Sequence, residues 1–373
     1  MTKDELLDEV RSAARVANVT PLRPAGAPLT TDEVLRLARE VGKDADPTPR
    51  IRSEVLPALA RLDTLDTARI TDDVADILGL PKSALRHEVG AARKAPAADS
   101  LDEDPFAALF PPVDPWPEPV DLADVLDEAV AYLSRFAVLP RHAPVVLALW
   151  AAMTWAFDSF ERLGLLLLTS PAPRSGKSTT LELLGRIACR PLSTVSLSAA
   201  ALYRVVSGAH PTLLLDEADN LLAENPDLAG VVNAAHAKES ARVVRVNPES
   251  MEVEVFECFA PLALAGNNPR MPPATRDRCI AVRMVRRGPG ETCERARARP
   301  VAKAATPIRR MFARIARDLP DRIATIATPE LPDCLHDRAA DCWESLFVLA
   351  VLAGRDWPAR VHAAAVAMSG AEE

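Results

Sequence analysis

The apolar positions change their rhythm along the chain, and each rhythm predicts a different element. Over residues 1–118 short helical patterns are interrupted by Pro-rich stretches at 20–29, 44–49 and 95–119. From 121 to 160 the periodicity is helical and persistent, with Pro140 and Pro144 dividing it into two helices. The second of these carries Trp150 and Trp155 in an almost wholly apolar setting, which predicts burial. Beyond 164 the pattern shortens to apolar runs bounded by turn residues, the mark of buried strands, at 165–168, 194–197, 212–215, 261–266 and 279–285. A helix is expected over 226–239. Residues 241–246 and 251–256 alternate in period two around Asn247-Pro248-Glu249-Ser250, a hairpin signature. The remainder is helical and packs Trp343, Phe347 and Trp357.

The run at 165–168 empties into a turn-rich loop, Pro173-Arg174-Ser175-Gly176-Lys177-Ser178-Thr179, and 180–185 continues as an amphipathic helix. Consecutive backbone N–H groups at the start of a helix converge on an anion, so this is read as a phosphate-binding loop. Gly176 lets the backbone approach, Lys177 reaches the β and γ phosphates of ATP, and Ser178 offers its hydroxyl to Mg²⁺. Pro171 stands where the first glycine of G-x-x-x-x-G-K-[ST] is usual.

The run at 212–215 ends in Asp216-Glu217. Two carboxylates at a strand's carboxyl end suit a metal-bound water shell at Asp216 and a water-polarising base at Glu217. The plain alternative is an acidic helix cap after a core strand. The run at 261–266 ends in Asn267-Asn268, and an amide there, Asn267 by preference, can bond the attacking water or the γ phosphate. Arg278, just before the last strand, stands where a finger can neutralise charge on a neighbouring subunit's γ phosphate, unless it only pairs with Asp277.

Composition narrows the classes. At 373 residues and 49% hydrophobic, the chain can bury a large core. A net charge of −8 argues against a generally basic nucleic-acid binder, although arginines are frequent from 283 to 317 and could face DNA or merely solvate a helix. No apolar run approaches the ~18–20 residues of a membrane span, and the start MTKDELLDEV is unlike a signal peptide, so a cytoplasmic protein without a membrane partner is expected. Six cysteines at scattered spacings, with no C-x-x-C, indicate neither zinc nor a disulfide framework. Residues 70–89 form two short amphipathic pieces joined at Gly79-Leu80-Pro81 and resemble a helix-turn-helix. An ordinary helical hairpin is the preferred reading, because the second piece offers only Lys82, Arg86 and His87 to DNA.

Taken in order, residues 120–365 resemble an additional-strand, AAA+-like P-loop ATPase. The wording SPAPRSGKST, LLLDEADN, FAPLALAGN, LPDCLHDRAADCWESL and LAGRDWPAR is similar to domain-of-unknown-function family 3631, found in phages, prophages and high-GC bacteria. That family tolerates the proline in place of the first glycine. The layout is also similar to superfamily 3 helicases, whose hairpin grips DNA, although the tip here carries Glu249 and no lysine. The resemblance implies an α/β P-loop core with a parallel sheet over 121–288 and a helical C-terminal lid over 289–373, while the patterns before it give a helical N-terminal region over 1–95 and a Pro-rich linker over 96–120. It implies a Mg²⁺-dependent ATPase, helicase-like or DNA-remodelling, acting in DNA replication as a homo-oligomer. The alternative is a nucleotide-gated switch or scaffold that binds ATP without acting on DNA.

Overall fold

A computed structural model describes residues 30–44, 46–62, 64–94, 106, 108–194, 198–246, 251–266 and 271–369. The chain divides into two compact units, Met1–Asp104 and Pro105–Glu373.

The described residues of the first unit are helical. Thr30 and Glu33 close a reciprocal capping box at the head of the helix Thr31–Val41. A second helical stretch runs from Thr48–Arg50 through a π-helical turn, Ile51–Val55, into Leu56–Arg61. Two further helices, Thr64–Leu78 and Lys82–Lys94, flank the expected Gly79 turn. Val34, Val55, Leu59, Val74 and Leu85 build the core. Arg86 pairs with Asp72 at 2.7 Å and Lys82 with Asp76 at 3.0 Å. Two of the three side chains that a DNA-reading helix would need are therefore held by the preceding helix.

In the second unit a five-stranded, wholly parallel sheet comprises β1 (Leu165–Thr169), β2 (Pro191–Thr194), β3 (Thr212–Leu215), β6 (Leu262–Gly266) and β7 (Cys279–Arg283). Their order is β2-β3-β6-β1-β7, so β6 lies between β1 and β3. A parallel sheet covered on both faces needs apolar residues throughout, which explains the unbroken leucines of β1. Leu166 and Leu168 face a core shared with Leu126, Leu147, Trp150, Leu184 and Trp357. Leu165 and Leu167 face the opposite cluster with Leu202, Val206, Leu222 and Leu228. The strands β4 (Arg242–Val246) and β5 (Val253–Glu257) form an antiparallel sheet of their own.

Several expectations are corrected in detail. Pro144 does not break a helix; it occupies the first turn of Ala143–Met153, where its missing N–H costs nothing, and the break from Leu122–Phe136 precedes it. Trp155 follows that helix and donates its indole N–H to the Ile187 carbonyl at 2.9 Å. β2 begins earlier than expected, and residues 195–197 lie outside the described residues. The helix expected over 226–239 is Pro226–Ala234, after which the chain bridges Ala237 to Arg162. Within the tract expected as a linker, Trp116 donates its backbone N–H to the Arg310 carbonyl at 2.9 Å, the Arg310 guanidinium lies over the Trp116 ring and pairs with Asp114, and Phe110 is buried. Residues 114–116 are thus strapped to the helix Ala298–Ile315. The C-terminal helices, expected as a lid, contribute Phe312, Phe347 and Trp357 to the core that contains Leu147 and Trp150. No helix among the described residues is long and apolar enough to cross a membrane.

Candidate functional site

The carboxyl ends of β1, β6 and β3 share one edge of the sheet, because Thr169 lies opposite Gly266 and Leu215 opposite Leu264. At the end of β1, the Ser170 hydroxyl accepts from the Ala172 N–H at 3.2 Å and donates to the Ala172 carbonyl at 2.9 Å, which starts the turn. The chain then reverses through two left-handed residues, Arg174 at φ 60° and Gly176 at φ 85°. The second is a conformation that only glycine adopts without strain. Gly176 leads directly into the helix Lys177–Ile187, and its carbonyl accepts the Thr180 N–H at 2.9 Å. Lys177 and Thr179 are half-buried, Pro173, Arg174 and Ser178 exposed. Ser175 is buried, with its Oγ unpartnered. From the far side, Arg286 donates Nε–H to the Pro173 carbonyl at 2.8 Å and pins the loop to the segment that leaves β7.

At the end of β3, Asp216 is half-buried and its Oδ1 accepts the Glu217 N–H at 2.9 Å. Glu217 is exposed and left-handed, at φ 52°. A non-glycine residue there marks a turn held by its surroundings, here the start of the helix Ala218–Glu224. The loop and the Asp216-Glu217 pair therefore leave the same edge of the sheet, on either side of β6. Asn267 and Asn268 follow β6 directly but lie outside the described residues.

Arg278 does not join this group. It precedes β7 and its carbonyl accepts the Leu165 N–H at 2.9 Å, which puts it at the amino edge of the sheet, the length of a five-residue strand away, about 15 Å. Its guanidinium donates to the Ala274 carbonyl, while Asp277, the other expected partner, pairs with Arg338 at 2.9 Å. Nearby His236 is buried against the Leu163 carbonyl, and burial lowers its pKa, reinforced by Arg278 and Arg162 and opposed by the Leu163 hydrogen bond.

Beside the loop lies a cavity of about 390 Å³, lined by Phe136, Val138, Ser175, Thr179, Val285 and Arg286. Phe136, Val138 and Val285 carry no motif in the sequence; only the fold brings the end of one helix and the exit of β7 to the loop. Among the described residues no group of three or more His, Cys, Asp or Glu side chains is placed to hold a metal ion. A divalent ion at this edge would rest on Asp216, the Ser178 hydroxyl and oxygens of a ligand and water.

Residues 283–373 match a family described as "Protein of unknown function (DUF3631)". The matched part contains Val285 and Arg286 on the cavity wall and all the C-terminal helices, but not the loop or β3. An uncharacterized 28.9 kDa protein in the xis 5′ region of Saccharopolyspora erythraea is 43% identical over 84 residues, which is 22% of this chain. The match spans 30% of that relative's length.

Proposed function

We propose that this chain is a P-loop ATPase that binds ATP with Mg²⁺ at 173–179 and hydrolyses it with Glu217. One observation carries the reading: an anion-ready loop and an Asp-Glu pair leave one edge of a parallel sheet from strands separated by β6. That order is the one expected of an additional-strand, AAA+-like fold. Lys177 and the backbone N–H groups of the first helical turn hold the phosphates. The donor set suits Mg²⁺, which prefers one or two protein oxygens, phosphate and water to an all-protein cage, so Ser178 and Asp216 would hold it. When bound, the ion neutralises charge on the phosphates. Glu217, exposed to solvent, orients and deprotonates the attacking water, and Asn267 is in sequence position to assist. The cavity of about 390 Å³ takes the base and ribose between Phe136 and Val285.

For the use made of hydrolysis, a helicase-like or DNA-remodelling role in replication rests on the order of parts. The hairpin favours the nucleotide-gated scaffold instead. Its stem arginines stand in register with carboxylates, Arg242 across from Glu257 and Arg245 across from Glu254, and Arg245 lies over the Tyr203 ring, so the stem offers a phosphate backbone little net positive charge. The test is Mg²⁺-dependent ATP binding and turnover by the full chain, with and without single-stranded and duplex DNA across a salt series. Absence of ATP binding removes the ATPase reading. Salt-dependent DNA stimulation that Arg242→Glu with Arg245→Glu abolishes restores the motor over the scaffold.

A further inference from the structure

The β4–β5 hairpin is apolar on the face that it turns to solvent. On the inner face Val243 and Phe256 pair across the strands, and the Phe256 ring lies 4.6 Å from that of Tyr203. Arg245 covers the same tyrosine, its guanidinium 5.6 Å from the ring centre. Period two then sends Arg242 and Glu257, Val244 and Val255, and Val246 and Val253 to the outer face as three cross-strand pairs. The four valines are 54–65% exposed, and Met251 at the start of the returning arm is 74% exposed. A lone exposed valine is ordinary, but two stacked valine pairs and a methionine form one patch, on the order of 400 Å². Among the described residues this sheet has two strands, so neither outer edge has a strand partner there.

We propose that this face docks against the same face of a second copy of the chain. A two-stranded ribbon presents no groove for a helix, whereas it matches itself under a two-fold axis running along the hairpin. That rotation lays β4 of one copy over β5 of the other. Valine pairs then meet valine pairs, and Arg242 of each copy meets Glu257 of the other, so the charges at the base of the patch are complementary as well as the shapes. Nucleic acid is a poorer occupant, since the described hairpin residues carry Arg242 and Arg245 against Glu252, Glu254 and Glu257. Two such patches bury about 800 Å² in all, below the ~1,000 Å² of a self-sufficient interface, so the contact is weak and concentration-dependent unless other surfaces add to it.

The charge pairing supplies the test. Sedimentation velocity of the full chain up to about 200 μM, near the weak end of specific association, follows wild type, Val244→Glu with Val255→Glu, Arg242→Glu, Glu257→Arg, and an equal mixture of the last two. All sites are on the exposed face, and circular dichroism checks that each variant is folded. The wild type is expected to gain mass with concentration and the valine variant to lose that step. Each single charge reversal should associate about tenfold less, because like charges meet in its own pairs. In the mixture every base contact is again between opposite charges, so association should return toward wild type. A wild type that does not associate, a valine variant that associates unchanged, or a mixture no better than its components would each overturn the proposal. The mixture also excludes repair within one hairpin, since neither chain regains its own Arg–Glu pair.

Discussion

Gly266 lies against Asp219 so closely that a β-carbon at 266 would stand 2.6 Å from the Asp219 Oδ1 and 3.1 Å from its backbone nitrogen. The end of β6 and the first turn of the helix that follows Asp216-Glu217 are thereby in contact with no room between them. Asp219 is itself buried, with Oδ2 unpartnered. Gly266→Ala is expected to destabilise the fold by about 1–3 kcal/mol, the usual cost of overpacking. Denaturant midpoints at unchanged slope would measure it. Because the nearest obstacle is the carboxylate, the cost should shrink by at least about 0.5 kcal/mol in an Asp219→Ala background. Strict additivity of the two substitutions would place the clash elsewhere.

Lys177 and Glu217 occupy the two arms of the proposed site, one at the head of a helix and one at an exposed turn after β3. Lys177→Ala should abolish ATP binding, since it removes the cation that reaches the phosphates. Glu217→Gln should bind ATP and turn it over about 100-fold more slowly or worse, because it keeps shape and loses the base. Equilibrium binding with a fluorescent nucleotide, beside phosphate release, separates the two effects. Equal loss of binding in both variants would make Glu217 structural.

The strands around the site were legible because burial on both faces forces unbroken apolar runs, as in Leu165–Thr169 and Leu262–Gly266. β2 is not legible in the sequence because Pro191-Leu192-Ser193-Thr194 is an incompletely buried edge strand with little apolar signal, whereas Thr194-Val195-Ser196-Leu197 has the alternation of a strand. The place of Pro144 is ambiguous in sequence because a proline in a first turn and a proline that ends a helix have the same local pattern. The cavity wall was hidden for another reason. Phe136 and Val285 are 149 positions apart (285 − 136), and only the packing of the helix Leu122–Phe136 near β7 joins them. The docking of the Pro-rich tract likewise depends on Trp116 finding Arg310, a contact that no local pattern announces.

His236 ties β1 to the turn after Pro226–Ala234, with its ring on the Leu163 carbonyl and its own carbonyl accepting the Leu163 N–H at 2.9 Å. Burial lowers its folded pKa below the ordinary 6.5, so the folded state prefers the neutral ring. The stability this contributes is complete above pH 6.5 and is lost as pH falls from there through the folded pKa. His236→Asn keeps a donor close to Nδ1 and does not titrate. Between pH 7 and 5 the thermal midpoint of the wild type should therefore fall more steeply than that of the variant. Parallel curves would remove His236 from the acid response.

Arg278 lies at the amino edge of β7 and the loop 173–179 at the carboxyl edge of β1, so within one chain the guanidinium could not reach a phosphate bound at Lys177 as proposed. If Arg278 is a finger, it acts on the nucleotide of another copy, and its hydrogen bond to the Ala274 carbonyl must give way or hold it toward that neighbour. Groups of this kind contribute about 10³-fold or more to turnover in other phosphoryl-transfer enzymes. Arg278→Ala and Glu217→Gln should then each be inactive alone, the first lacking the finger and the second the base. In a mixed assembly some interfaces combine an intact Glu217 from one copy with an intact Arg278 from the next, and activity should reappear in proportion to those interfaces. Phosphate release is measured against mixing ratio after sedimentation has established that the variants exchange subunits. A mixture that exchanges and stays inactive at every ratio would rule out action between copies and leave Arg278 as a support for the turn before β7.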